Sequence, residues 1–454
     1  MIRKSLVATA TLLALGLTSS AFAGGRPDLV RADLQRGVQY SSGQLIVQYK
    51  GFATDKDKAR VQALIQGSRM MFLGKRGSRL NGDLELLKVP TSGTMQARID
   101  AVSKDPAVDF AEPNWILQHT SATNDPAYVN GQLWGMYGAS TSPANQYGSG
   151  AGAISSNDCS NVWVGVIDGG YLWNHEDLAA NIAKNPGDST FDGIDNDNNG
   201  YVDDVYGWDF VNNDNTIFDN INADSHGTHV AGTIGGVGNN GIGVVGVCHK
   251  VKMMNAKFLG AQGGTTANAI LAVDYFTNLK TAQSLNLVAT NNSWGGGGFS
   301  QSLFDAIERA KAADILFIAA AGNSGANNDA TPHYPSSYTN SNIIAVAAIN
   351  SSGGRVYSYG ATSVDICAPG VTILSTVPVA MGKGRNFAIG SGYANYNGTS
   401  MATPHVTGAA AVYKAHNPNA TGAQIKSAIM GSATATPSCN GRVVSNGRLN
   451  ASGF

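Results

Sequence analysis

The sequence predicts an α/β fold of three layers, a mainly parallel sheet with helices on both faces, preceded by a small α+β module. Three observations lead there. From about Val162 onward, apolar strands alternate with longer helical segments, the pattern of a parallel sheet wrapped by helices. Several of those strands are apolar on both faces, as strands of a covered sheet must be. Before them, from about Gly43 to Trp115, the text changes character and is rich in Lys, Arg, Asp and Glu.

In that first segment, residues 44–49 alternate like a strand. Residues 55–66 read as a helix with Val61, Leu64 and Ile65 on one face. A second strand is expected at 83–89, a second helix at 95–103 and a third strand at 107–111. Two helices on a small antiparallel sheet make a module of about 75 residues. Residues 119–124 are polar and read as an exposed linker, the kind of segment where cleavage is expected. In the second segment, strands are expected at 162–167, 251–258, 287–291, 315–321, 343–348 and 364–366. Helices are expected at 268–283, 301–313 and 423–430. In such sheets chemistry gathers at the carboxyl ends of the strands.

A chain of 454 residues suggests two or three folding units, and 43 % hydrophobic residues supply a sizeable core. Thirty basic residues against thirty-one acidic ones leave no field that would steer nucleic acid or an anionic membrane to the protein. The chain opens with Met1-Ile2-Arg3-Lys4, an apolar run from Leu6 to Leu17, and Ala21-Phe22-Ala23. That is a signal peptide cut after Ala23; the run is too short to span a bilayer. A secreted, extracellular protein with no membrane partner is therefore expected. Its four cysteines, Cys159, Cys248, Cys367 and Cys439, permit two disulfides in three pairings. Spacing does not choose among them, and Cys248 and Cys367 could equally be buried free thiols.

Three short segments carry chemistry. Val166-Ile167-Asp168-Gly169-Gly170 puts an Asp at a strand's carboxyl end. Ser225-His226-Gly227-Thr228-His229-Val230-Ala231-Gly232-Thr233 offers an imidazole, and Asn397-Gly398-Thr399-Ser400-Met401-Ala402-Thr403-Pro404-His405 places a Ser where a loop enters a helix. A Ser hydroxyl needs a base beside it, and the base needs a carboxylate to hold its tautomer. Each residue alone has a structural reading: a turn Asp, a helix N-cap Ser, a core His. A further segment, Asp192 to Asp204, is rich in side-chain oxygens at alternate positions. From Asp195, with Asp197 and Asn199, it follows the start of a calcium loop, but Tyr206 stands where the closing Glu belongs. Asp192 and Asp203 complete the candidate Ca2+ ligands there.

With its flanking blocks and the order Asp, His, Ser, the chain resembles the subtilisin-like serine proteases, the subtilases. The resemblance covers about residues 124 to 450. Residues 43 to 115, with Ala111-Glu112-Pro113-Asn114 near their end, resemble the family's inhibitory prodomain. It implies a signal peptide at 1–23, a leader at 24–42, a prodomain at 43–120 that inhibits and assists folding, and a subtilisin-like catalytic domain at 121–454. It implies a self-processing zymogen acting on polypeptides as a monomer. Ser400 would attack the scissile carbonyl, His226 would carry the proton and Asp168 would orient His226, leaving His229 structural. Asn323, in Ala319-Ala320-Ala321-Gly322-Asn323, would form the oxyanion hole with the backbone of Ser400 and with Thr399. Ser293-Trp294-Gly295 and, opposite, Gly263 and Gly264 would pair with an extended peptide, flanked by Ala320 and Gly322. The thermitase-like branch of the family implies a structural Ca2+ at Asp125, Asp177 and Asn240, with carbonyls at Ile242 and Val244. One departure stands out: Gly169 occupies the place of the family's Ser or Thr, leaving Asp168 reliant on backbone N–H groups. The competing reading is a catalytically silent subtilase fold used for calcium-dependent binding.

Overall fold

The computed structural model describes residues 26–35, 40–74, 82–115, 123–382 and 388–454. The signal peptide expected at 1–23 and most of the linker at 119–124 lie outside them. The chain divides into two compact units, with the boundary between residues 119 and 120.

The first unit runs α1 (Pro27–Gln35), β1 (Tyr40–Tyr49), α2 (Asp55–Leu64), β2 (Ser68–Gly74), β3 (Leu84–Lys88), α3 (Met95–Val102) and β4 (Val108–Trp115). Its sheet is antiparallel, in the order β2-β3-β1-β4. Helix α2 starts at a capping box, Thr54 with Asp57, which satisfies two orphan donors. Its Val61 packs on Leu45, Val47, Leu87 and Ile99 in one core. Two elements were not foreseen. Strand β2 is exposed along nearly its whole length, so it lacks the alternation that marks a half-buried strand. Helix α1 lies in the segment read as a leader; Val30 and Leu34, one turn apart, rest on the core.

The second unit contains α4 (Pro126–Val129), β5 (Asp158–Asp168), β6 (Gly207–Asp209), α5 (Ile221–Gly235), β7 (Lys250–Lys257), α6 (Thr266–Gln283), β8 (Leu287–Asn292), α7 (Gln301–Ala312) and β9 (Leu316–Ala320). It continues through β10 (Ile343–Ile349), β11 (Arg355–Val356), β12 (Ile366–Pro369), β13 (Ile373–Met381), β14 (Ala388–Tyr396), α8 (Thr399–His416), α9 (Gly422–Gly431), β15 (Thr434–Ala435) and β16 (Gly447–Arg448). The large sheet has the order β15-β16-β12-β10-β9-β8-β5-β7-β6 and is parallel from β16 through β6. Strands β8, β9, β10 and β12 are buried at every residue, which is why β9, β10 and β12 read as unbroken apolar runs, while β8 ends in the buried polar residues Thr290, Asn291 and Asn292. Helices α5 and α8 pack on each other and α8 on β5 and β8–β10, while α6 and α7 pair against β5, β7 and β9. Helix α7 shows the logic: Ser300 caps it, and Leu303, Ala306, Ile307 and Ala310 form its buried stripe. Burying a Leu or Ile side chain there contributes about 1.5–3 kcal/mol.

The four cysteines form Cys159–Cys248 and Cys367–Cys439, so the free-thiol alternative fails. The first joins β5 to the approach to β7; the second joins β12 to the C-terminal segment. The hairpin β13–β14, paired in register from Ile373 with Tyr396 to Met381 with Ala388, was not anticipated. Its second strand is short of buried residues.

Candidate active site

Strand β5 has β7 on one side and β8 on the other. The chain therefore crosses from one half of the sheet to the other beside β5, and a crevice opens at such a switch point. Asp168 is the last residue of β5 and lines a cleft of about 640 Å³. His226, Ser293, Trp294, Gly295, Ala320, Gly322, Asn323, Thr399, Ser400 and Gly263 line the same cleft.

His226 sits in the second turn of α5 rather than at a loop end. Asn220 caps the helix through the N–H groups of Asn222 and Ala223. Gly227 lets it approach the turn after β5, since a Cβ there would lie 2.5 Å from the Gly170 carbonyl; glycine in a helix costs up to about 1 kcal/mol, accepted for that contact. His226 Nδ1 meets Asp168 Oδ1 at 2.7 Å. Asp168 is fully buried and the His226 side chain is 35 % exposed. Loss of water works against the imidazolium, but the charge of Asp168 and the hydrogen bond to it outweigh that, and His226 is held above the ordinary imidazole range.

Asp168 Oδ1 also accepts the Gly169 N–H at 2.7 Å, while Oδ2 has no partner. A Cβ at residue 169 would come within 2.8 Å of the Ala223 carbonyl. The same close approach of α5 that delivers His226 thus leaves no room for the hydroxyl residue usual in the family.

Ser400 is the second residue of α8, whose entry passes through Gly398 at φ 149°, a conformation glycine tolerates best. Ser400 Oγ donates to the Ser293 carbonyl at 2.9 Å rather than to His226. In return Ser293 Oγ donates to the Ser400 carbonyl at 2.8 Å. Pro404 explains why that carbonyl is free: it stands one helical turn on and has no N–H to donate.

Asn323 follows β9. Its Oδ1 accepts both the Thr399 N–H, at 2.9 Å, and the Thr399 hydroxyl, at 3.1 Å. That fixes the amide so that Nδ2 is the end left without a partner in the fold. The position a Cβ on Gly398 would take lies 3.4 Å from Asn323 Nδ2 and 3.6 Å from the Ser400 nitrogen, so the two donors lie on the same side of Gly398 as neighbours. Thr399 is corrected here: its N–H and hydroxyl are spent on Asn323, so it positions the amide and does not itself face the cleft as a donor.

The peptide-binding expectations divide. Ser293, Trp294 and Gly295 line the cleft just past the end of β8. Gly263 closes a tight turn with Gly260 through paired backbone hydrogen bonds. Gly264 does not line the cleft; it packs against the Phe258 carbonyl, 2.4 Å from where its Cβ would be. Leu259, Gly260 and Ala261, which precede Gly263 in the segment expected to form the opposing side, also line the cleft, as do Asn222, Ala223 and His333, which were not foreseen. His229 is buried, donates through Nε2 to the Ile373 and Ala394 carbonyls and stacks on Tyr396 at 4.4 Å. Burial drops it to about 3.

The cation expectations were tested against the donor sets. Asp125 and Asp177 are both fully buried. Asp125 accepts the N–H groups of Asn239, Asn240 and Gly241; Asp177 accepts Asn240 Nδ2 at 2.8 Å and the Val244 N–H at 2.8 Å. Burial, reinforced by the charge of Asp125, pushes Asp177 up to about 7. Two buried carboxylates with an amide oxygen nearby and, among the described residues, no Lys or Arg paired to either fit a hard cation. In the acidic loop, Asp195 and Asp197 share the Asn199 N–H at 3.1 and 3.2 Å. Asp192 and Asp203 are likewise taken up within the loop: Asp203 clasps the N–H groups of Asp192 and Gly193, and Asp192 accepts from Asn196. Among the described residues, no three His, Cys, Asp or Glu side chains are grouped as metal ligands.

Comparison with known proteins agrees with this geometry. The subtilase family model matches residues 160–453. The model of the fervidolysin N-terminal prodomain matches residues 27–114, a range that includes α1. The chain is 31 % identical over 379 residues to subtilisin E of Bacillus subtilis (strain 168), covering 83 % of this chain and 84 % of that one. It is 39 % identical over 215 residues to subtilisin Savinase of Lederbergia lenta, covering 47 % and 72 %. Among solved structures, a protease from Pseudoalteromonas arctica PAMC 21717 aligns at TM-score 0.56 and 29 % identity, over 73 % of this chain and 98 % of that one. A cold-adapted subtilisin-like serine proteinase aligns at TM-score 0.51 and 30 % identity, over 70 % and 98 %. Sheet topology, cleft and relatives lead to one conclusion: the chain belongs to the subtilase family of serine proteases and carries an N-terminal prodomain.

Proposed function

We propose that this subtilase is a secreted endopeptidase that hydrolyses peptide bonds of proteins through an acyl-enzyme, with Asp168, His226 and Ser400 as its triad. The observation that carries this reading is the 2.7 Å contact of Asp168 with His226 in a cleft shared with Ser400 and with the free N–H groups of Asn323 and Ser400. Asp168 on Nδ1 holds the tautomer in which Nε2 presents a lone pair. With substrate bound, Ser400 Oγ exchanges the Ser293 carbonyl for His226 Nε2 and attacks; hydrogen bonds of this kind tighten in the complex. The oxyanion is met by Asn323 Nδ2 and the Ser400 N–H at the start of α8, where the helix also favours negative charge. His226 then gives its proton to the leaving amine, and water, activated by the same base, releases the acyl group.

The prodomain is read as an intramolecular inhibitor and folding aid, removed by the enzyme's own activity. Export rests on the N-terminal pattern; among the described residues no helix is long and apolar enough to cross a membrane. Calcium is assigned a structural role, held by Asp125, Asp177 and Asn240 with carbonyls near Ile242 and Val244, and by Asp195, Asp197 and Asn199. It would neutralise carboxylates that otherwise repel one another. The enzyme is read as a monomer whose partners are polypeptides. The test is mass spectrometry of the secreted protein with and without a serine-reactive fluorophosphonate, alongside Ser400→Ala. A single adduct on Ser400, and a Ser400→Ala precursor that keeps its prodomain, are expected. An alanine variant that matures in a host lacking other proteases overturns self-processing, and an unlabelled wild type overturns the catalytic reading.

A further inference from the structure

Past Asn323 the chain returns to the cleft through His333. Strands β8 and β9 run side by side, with Asn292 beside Ala319. Beyond their ends, two glycines close on the imidazole from either side. A Cβ on Gly295 would lie 2.2 Å from His333 Cε1, and one on Gly322 would lie 2.9 Å from both Cδ2 and Nε2. Real Cβ atoms do not approach so closely, so the ring is wedged in a slot whose two walls must be glycine. The slot adjoins Asn323. A substrate carbonyl held by Asn323 Nδ2 and the Ser400 N–H, with its main chain along Ser293 to Gly295, therefore turns the side chain of that same residue toward His333.

The tautomer follows from the partners. Ser336 Oγ spends its proton on the His333 carbonyl at 2.8 Å, so at 3.1 Å it can only accept from Nδ1–H. In the neutral ring Nε2 is then a bare acceptor with no partner in the fold. Burial holds His333 below the ordinary imidazole range, which keeps the ring neutral at and above neutral pH.

We propose that His333 is a specificity-determining residue, closing the slot for the side chain that precedes the cleaved bond and selecting amide donors there over isosteric carboxylates and flat aromatic rings. The ring occupies the space an aromatic side chain would need. Its lone pair accepts from a Gln or Asn amide and repels a carboxylate. A site built to hydrogen-bond its substrate discriminates strongly against an analogue that cannot make the bond. This rests on the protease reading of the cleft.

The experiment is kcat/KM of the mature enzyme on four peptides differing only at that residue, Gln, Glu, Met or Phe, at mildly alkaline pH. Each protein is also labelled with the fluorophosphonate. Gln is expected to exceed Glu and Met by about tenfold or more, with Phe a poor substrate. His333→Phe keeps a ring and removes the lone pair, so the Gln advantage over Met should vanish while Phe stays poor. His333→Gly empties the slot, and Phe should become the best of the four. A labelled wild type that cuts best after Phe or Glu overturns the role of His333 by itself, even if a variant fails to fold. Labelled variants that keep the wild-type ranking overturn it as well. A wild type that neither labels nor cuts any peptide overturns the protease reading and this proposal with it.

Discussion

Asn323 makes two sets of contacts, and they can be separated by mutation. Its Oδ1 holds the Thr399 N–H and hydroxyl, and Nδ2 is left for the developing oxyanion. Asn323→Ala removes both. Removing one such donor costs about 10²–10³ in kcat, or about 2.7–4 kcal/mol, a range measured on subtilisin and carried over to this relative. Because the contact forms only in the transition state, KM should change little. Thr399 is fully buried, so its orphaned N–H should also cost about 1–3 kcal/mol of stability. Asn323→Asp keeps the acceptor for Thr399 but turns the donor into a second negative oxygen. It should be the more stable variant and the less active one. The assay is kcat and KM on a chromogenic peptide after active-site titration, with thermal denaturation of the covalently inhibited proteins. An alanine variant that loses less than about tenfold in kcat, or loses it through KM, refutes the assignment.

Other outcomes follow from the same structure. Activity should fall in acid as one group protonates, with an apparent pKa above the ordinary ~6.5 of histidine, because Asp168 favours the charged His226; a flat profile of kcat/KM down to about pH 4 would exclude a histidine base. Stability should decline over a different window. His229 and His405 are buried and His249 is half-buried, and loss of water holds them neutral, at about 3, 4 and 4, so their contribution is complete above the unfolded value of ~6.5 and is lost as pH falls from there toward 4, by up to about 1.4 kcal/mol per group per pH unit. A melting temperature of inhibited enzyme that holds steady between pH 6.5 and 4 would contradict this. Chelating calcium should lower the melting temperature of the covalently inhibited enzyme and leave initial rates on a small substrate nearly unchanged; a hundredfold excess of the ion over its Kd adds about 2.7 kcal/mol. Identical melting curves with calcium and with EDTA would remove the cation. Replacing Cys159 and Cys248 by Ser opens a loop of sequence separation 89, for which chain entropy predicts a loss of about 4–5 kcal/mol; a denaturant midpoint unchanged from wild type would refute it.

The sequence by itself determined the layered fold and the family. Central strands such as β9 and β10 face helices on both sides, so their apolar runs are unbroken and stand out. The blocks around Asp168, His226 and Ser400 are local: each is fixed by the turn or helix end that carries it, and a one-dimensional reading reaches it. Exposed elements were not legible for the converse reason. Strand β2 buries almost nothing, so no alternation marks it. What only tertiary structure decided are relations between segments far apart in sequence. The pairing Cys159–Cys248 depends on how β5 and the segment before β7 meet. Thr399 could be separated from the oxyanion donors only once Asn323 was seen to consume its N–H and hydroxyl. The Gly169 departure has a cause in space, the Ala223 carbonyl of an adjacent helix. His333 carried no motif, because its role comes from two glycines on neighbouring strand ends that the fold closes around its ring.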